Sequence, residues 1–227
     1  MKKKFSLAKR LNIMRAAVMG ANDGIISIAG IVIGVAGATT NQFSIFIAGI
    51  SGILAGTVSM AMGEYVSVNT QKDSEKIAIK TEKDNLENKY EEVFSFVEQK
   101  YLDEGIDPKL ARQATTEMME NDPLTTIIRE KYGFNVNEFT SPYDAAISSM
   151  IAFPLGSILP MVAISIFPNN IKIIATFIAV LIALAITGYS AAKLGNSNRK
   201  HGMLRNIISG IITMAVTYFI GHLIGKF

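Results

Sequence analysis

Apolar residues fill five long stretches of the chain: Ala16 to Ala38, Phe43 to Ala61, Ala145 to Phe167, Ile173 to Ala192, and Ile207 to Ile224. Each is close to the roughly 20 residues an α-helix needs to cross a hydrocarbon core about 30 Å thick. Between the second and third stretches the pattern changes. Leu86, Tyr90, Val93, Val97 and Tyr101 recur at helical spacing among polar residues, which predicts an amphipathic helix with one apolar stripe. Gly105 is placed to stop it. Asp107-Pro108 and Asp122-Pro123 each read as an N-cap followed by a first helical residue, predicting helices over 108–121 and 123–132, with Gly133 closing the second. Ser141-Pro142 opens the third span in the same way. The expected fold is an all-α membrane protein with five transmembrane helices and a cytoplasmic helical insert between helices 2 and 3. Its expected parts are 1–71, the N-terminal stub with spans 1 and 2; 72–142, the insert; and 143–227, spans 3 to 5.

Charge supplies the orientation. Lys2, Lys3, Lys4, Lys9, Arg10 and Arg15 precede the first span, and Lys193, Arg199, Lys200 and Arg205 join spans four and five. The links near Asn41 and Asn169 hold only Lys172 between them. The positive-inside rule therefore predicts a cytoplasmic N-terminus and insert, with Lys226 on the far side. No cleavable signal peptide is expected, because the first apolar run lacks a short core with a small-residue cleavage site. The chain has no cysteine, which excludes disulfides and thiolate metal sites. The segment 72–142 carries 16 of the 19 acidic residues but 10 of the 22 basic ones, so it is an acidic unit in a basic protein. Nothing in this distribution calls for nucleic acid; membrane lipids are the expected surroundings.

Chemistry enters where the apolar pattern is broken. Asp23 lies in the first run, and the residues after it, Ile25 to Ala38, are too few to span alone. A spanning helix must start near Ala16, which puts Asp23 about 10 Å inside the membrane at 1.5 Å per residue. A charge at such depth costs at least about 2.5 kcal/mol, so its default reading is functional. The competing reading makes Asn22-Asp23 the N-cap of a shorter helix. Glu64 is the other acid away from a span end, and Met60 lies one turn deeper on the same face. Two carboxylates and a thioether suit a divalent transition metal, the sulfur disfavouring Mg²⁺ and Ca²⁺; Met60 and Met62 equally suit gap-filling in a core. Glu87, Glu91 and Glu98 are placed on one face of the predicted amphipathic helix, with Glu82 earlier, either as a solvated face or as a collector of cations. Pro154 and Pro160 in span three fit a transport path or plain packing. His222, near the outer end of span five, fits an interfacial position better than a ligand. Gly30/Gly34, Gly52/Gly56 and Gly221/Gly225 predict close helix packing.

Several motifs also carry a resemblance. Gly20-Ala-Asn-Asp-Gly-Ile-Ile-Ser27, Ser59-Met-Ala-Met-Gly-Glu-Tyr-Val-Ser-Val68 with Gln71-Lys-Asp73, Gly105-Ile-Asp-Pro-Lys-Leu-Ala-Arg112 and Thr217-Tyr-Phe-Ile-Gly221 closely resemble the vacuolar iron transporter family, in order and over nearly the whole chain. The resemblance implies a five-helix homodimer with a cytoplasmic helical metal-binding domain. It implies export of Fe²⁺, often Mn²⁺ too, from the cytosol by proton antiport. Metal and protons would be its partners, Fe²⁺ or Mn²⁺ its substrate, and no cofactor would be tightly bound; such a protein is not an enzyme. The family's path aspartate and methionine match Asp23 and Met60, and Glu64 occupies the motif's glutamate. Its insert glutamates match Glu82, Glu91 (or Glu92) and Glu130. The pattern is incomplete, because Asn85 and Ser95 stand where further glutamates belong. The rival from another class is a membrane-tethered metal sensor or storage protein that transports nothing; transport of a non-metal solute is a third. The membrane is expected to be the plasma membrane of a prokaryote, or otherwise a vacuolar-type one.

Overall fold

A computed structural model describes residues 7–137 and 139–227, with side chains from Arg10 onward; the basic stub Lys2-Lys3-Lys4 and the side chain of Lys9 lie outside it. The described residues form eight helices and no strand. They are α1 (Leu7–Ala38), α2 (Gln42–Asn88), α3 (Tyr90–Asp103), α4 (Pro108–Asn121), α5 (Pro123–Tyr132), α6 (Pro142–Ile166), α7 (Lys172–Leu194) and α8 (Arg199–Ile224). Five of them, α1, α2, α6, α7 and α8, are long and apolar enough to cross a membrane. The chain divides into two compact units, one from 9–66 with 142–227 and the other from 67–141.

In the first unit α1 is the central helix. Ile25, Ile28, Ala29, Val32, Ile33 and Ala36 supply nearly half of its buried core, and Ile45, Phe153, Met161, Ile164, Val180, Leu184 and Met214 close around them. Glycines set how near the neighbours come. A methyl on Gly24 would strike the Phe153 carbonyl, and one on Gly156 the Ala21 carbonyl, so α1 and α6 meet backbone to backbone. Gly221 meets the Gly34 carbonyl of α1 in the same manner, and Gly225 the backbone of Ala38. The outer face is a different surface. On α7, Thr176, Val180, Leu184, Gly188 and Ala192 are buried in i, i+4 steps, while Ile174, Ile178, Ile182 and Ile186 are exposed in parallel steps. A contiguous row of exposed isoleucine is foreign to a water-facing surface and suits lipid.

Two expectations change here. Helix α1 begins at or before Leu7, well ahead of Ala16, because no glycine or proline interrupts Leu7–Arg15. Asn22 and Asp23 are therefore mid-helix, and the N-cap reading of that pair fails. The predicted Leu86–Tyr101 helix is also broken. α2 stops at Asn88, and Lys89, with φ −143 and ψ 39, separates it from α3. Val93 and Val97 are buried and Leu86 and Tyr101 pack against them, while Tyr90 drops out of the stripe and is exposed. Elsewhere in the 67–141 unit the local signals hold. The Asp107 side chain accepts from the Lys109 amide at 2.9 Å, Asp122 accepts from the Thr125 amide at 3.0 Å, and Gly105 and Gly133 take φ +84 and +74. The unit packs on Val93, Phe94, Val97, Met119, Ile127 and Ile128.

Candidate functional site

Helix α1 presents three consecutive residues in three directions. The Asn22 Oδ1 accepts from Asn206 Nδ2 of α8 at 2.7 Å, and Gly24 is pressed against α6. Asp23 lies between them, partly buried. Its Oδ1 accepts a hydrogen bond from Ser27 Oγ, one turn on, at 2.9 Å. Among the described residues no Lys, Arg or His pairs with this carboxylate, so its charge has a hydroxyl dipole but no counter-ion. A charge in an apolar helix bundle is costly and therefore rare.

Met60 is half-buried against the core around α1, while Met62 is exposed. The antiparallel contact of α1 and α2 gives its height. Gly49 meets Val32, Gly52 meets Ile28 and Ile31, and Arg15 meets Glu64. Continued between these points, the register puts Asp23 level with the α2 turn that runs from Gly56 to Met60. Glu64 lies one turn beyond Met60, and only 5% of it is exposed. Its Oε2 accepts from Arg15 Nη2 at 2.9 Å. Asp23 thus stands within about one turn of Met60 along the axis, and Glu64 forms a separate point already held by a cation.

The three insert glutamates are not brought together. Glu82, at the C-terminal end of α2, is fully buried; its Oε1 accepts from Lys131 Nζ at 2.8 Å and from Tyr132 Oη at 2.9 Å, and its Oε2 from Asn85 Nδ2 at 3.2 Å. Burial pushes the Glu82 carboxyl up, but these three bonds outweigh it and hold the group below the ordinary glutamate value. Glu130 accepts from Lys100 Nζ at 2.8 Å and from Arg129 Nε at 2.9 Å. Here too burial acts upward, and the bonds from Lys100, Arg129 and Tyr101 win, so the carboxyl is held low. Glu91 is exposed and makes no side-chain bond among the described residues. A cleft of about 280 Å³ beside Glu82 is lined by two acids, Glu82 and Glu92, and two lysines, Lys89 and Lys131. Its charge is balanced, which is a poor start for a divalent ion. Among the described residues no three His, Cys, Asp or Glu side chains gather as a metal cluster.

Sequence reasoning gives no role to Ser27, considers Asn22 only as part of an N-cap, and counts Arg15 only among the flanking charges. Ser27 is reachable from the sequence, since it stands four residues after Asp23 on one face.

Known proteins share this arrangement of sequence. The profile of the VIT family matches residues 14–222. A protein of Acanthamoeba castellanii named vacuolar iron transporter is 33% identical over 211 residues, covering 92% of this chain and 78% of its own length. Vacuolar iron transporter homolog 3 of Arabidopsis thaliana is 31% identical over 225 residues, 99% of this chain and 89% of that protein. Homolog 2 of the same plant is 30% identical over 224 residues, 98% of this chain and 90% of that protein. With a profile match over most of its length, and relatives this similar that it nearly covers, the chain belongs to the vacuolar iron transporter family.

Proposed function

We propose that this protein exports Fe²⁺, and Mn²⁺ as well, from the cytosol in exchange for protons. Asp23 and Met60 bind the ion within the membrane, and Glu64 receives it on the cytoplasmic side. The observation that carries the reading is Asp23: a carboxylate inside a candidate span, oriented by Ser27 and lacking a counter-ion among the described residues. An ionised carboxylate accepts a metal, and a protonated one does not, so one group can serve both ions in alternation. The names of the relatives support iron as substrate.

The N-terminus and the 72–142 insert face the cytosol on this reading, and two copies of the chain work together. Glu82, Glu91 and Glu130 serve as secondary metal positions. Two of them must first release Lys131 or Lys100, so the insert holds fewer ions, or holds them more weakly, than a complete glutamate pattern would. A tethered metal store is the weaker reading, because storage in the insert gives no use to Asp23.

The deciding experiment is metal flux in proteoliposomes under an imposed pH gradient. Wild-type protein is expected to move Fe²⁺ and Mn²⁺ with the gradient, and Asp23→Asn to move neither. Absence of flux from folded wild-type protein rejects transport; equal flux from the two proteins rejects Asp23 as the ligand.

A further inference from the structure

The ion pair on Glu64 is not needed to join α1 to α2, which already meet through Gly49 and Gly52. It does place a cation of the protein where a metal ion would arrive. We infer that Arg15 is a tethered competitor for the transported ion, one that neutralises Glu64 at rest and must be displaced before the site loads. The inference rests on the transport reading of Asp23, Met60 and Glu64 and adds to it a residue that controls loading.

Three features support displacement over a fixed staple. Glu64 is 5% exposed but the Arg15 side chain is 47% exposed, so the carboxylate is anchored and the guanidinium is the movable partner. Arg15 has other holds on its own helix, with Nη2 donating to Asn12 Oδ1 at 3.2 Å and Nη1 to Met19 Sδ at 3.3 Å. It also borders a groove of about 290 Å³ formed with Leu11, Met14, Val18 and Leu194, whose lining does not include Glu64. The position follows from the register. Arg15 stands eight residues before Asp23 on α1, about 12 Å along the axis, and Glu64 one turn from Met60 on α2. An ion bound for Asp23 and Met60 by way of Glu64 meets the guanidinium first.

The chemistry of the exchange sets a threshold for loading. A nearly buried carboxylate left without a partner is costly, so something must occupy it between ions. With a guanidinium there, loading becomes an exchange of cations. Only an ion that sheds water readily and binds the carboxylate firmly can complete it. Mg²⁺ dehydrates reluctantly and is held back, whereas transition metals pass.

The test is equilibrium binding of MnCl₂ to the full-length protein in vesicles, with MgCl₂ as competitor. Arg15→Gln removes the competitor and is expected to tighten Mn²⁺ binding about tenfold, equivalent to about 1.4 kcal/mol. Arg15→Lys keeps the charge but not the planar fork, and should fall between wild type and Arg15→Gln. Mg²⁺ binding should tighten by the same factor, because removing a competitor raises the apparent affinity of every ion for the site alike. Adding Glu64→Gln to Arg15→Gln should erase the gain. A flat or reversed affinity series overturns the inference. Should Arg15→Gln not fold, Arg15→Lys against wild type decides alone. Mn²⁺ binding by none of the proteins overturns it together with the ligand role of Glu64. Wild-type vesicles that bind Mn²⁺ but move none reject transport, and the affinity order still judges Arg15.

Discussion

Asp23 and Glu64 are both carboxylates in apolar helices, and their neighbours divide the work between them. Among the described residues Glu64 has a guanidinium and Asp23 a hydroxyl. Substitution tests this division. Asp23→Asn keeps size and an oxygen that can accept from Ser27, so the fold should survive. It loses the charge that replaces the ion's hydration. Two unit charges 4 Å apart at an effective dielectric of about 20 interact by about 4 kcal/mol, so Mn²⁺ and Fe²⁺ flux should fall about a hundredfold or more. Met60→Leu keeps the packing against the core and loses only the sulfur. It should slow Fe²⁺ more than Mn²⁺, a shift in ratio of a few-fold. Initial rates in vesicles of matched orientation measure both, and a Met60→Leu effect equal for the two metals would assign Met60 to packing. The acids are legible in the sequence because a charge in an apolar run is conspicuous. The role of Arg15 is not, because its partner is fixed by the offset between α1 and α2, and that offset is a property of packing.

At the scale of elements, local chemistry predicts the ends of α4 and α5 and misses the break before α3. An Asp-Pro pair fixes both a cap and a first helical residue, so it is readable in isolation. The turn at Lys89 leaves no such mark, since the apolar spacing continues through it. The small-residue motifs are legible as close packing but not in their pairing, which matches α1 to α8 through Gly34 and Gly221. Gly221→Ala should therefore lower thermal stability in detergent by roughly 1–3 kcal/mol, the usual range for overpacking. Gly63, where an added methyl would meet no atom within 4 Å, should accept Ala with no loss. Equal stability of Gly221→Ala and wild type would disprove the close contact. The insert gives a pH test. Glu82 and Glu130 both titrate below the ordinary glutamate value of about 4.3 when folded. Their contribution is complete above that value and is lost as pH falls through the lower folded values. Amide exchange across 90–132 of the whole protein should stay slow from pH 7 to about 5 and quicken below about 4. A unit that loosens instead on raising pH from 5 to 7 would contradict these pairs.

At the scale of the whole molecule, charge predicts the sidedness. With five spans and a cytoplasmic N-terminus, 20 of the 22 basic residues fall on the cytoplasmic side or at its border, leaving only Lys172 and Lys226 opposite. Reversing the orientation would carry the other 20 outward, against the bias that sets membrane topology. The insert cannot be weighed in the same way, because long loops translocate largely regardless of charge and its own balance is acidic. The prediction rests on the short flanks: Arg10 and Arg15 before the first span, and Lys193, Arg199, Lys200 and Arg205 around the turn between α7 and α8. The proposed path needs this orientation as well, since Glu64 and Arg15 must meet the cytosolic ion before Asp23 does. The natural chain has no cysteine, so a single introduced thiol reports without background. Ser74→Cys is exposed near the end of α2 that leads into the insert, and Lys226→Cys lies beyond α8. In sealed cells a membrane-impermeant maleimide should modify Lys226→Cys and spare Ser74→Cys, and in inverted vesicles the order should reverse. Modification of both from one side would mean an even number of crossings between them and would remove the five-span arrangement. Modification of Ser74→Cys alone in sealed cells would keep five spans but turn the protein over, and would make Glu64 and Arg15 the exit instead of the entrance.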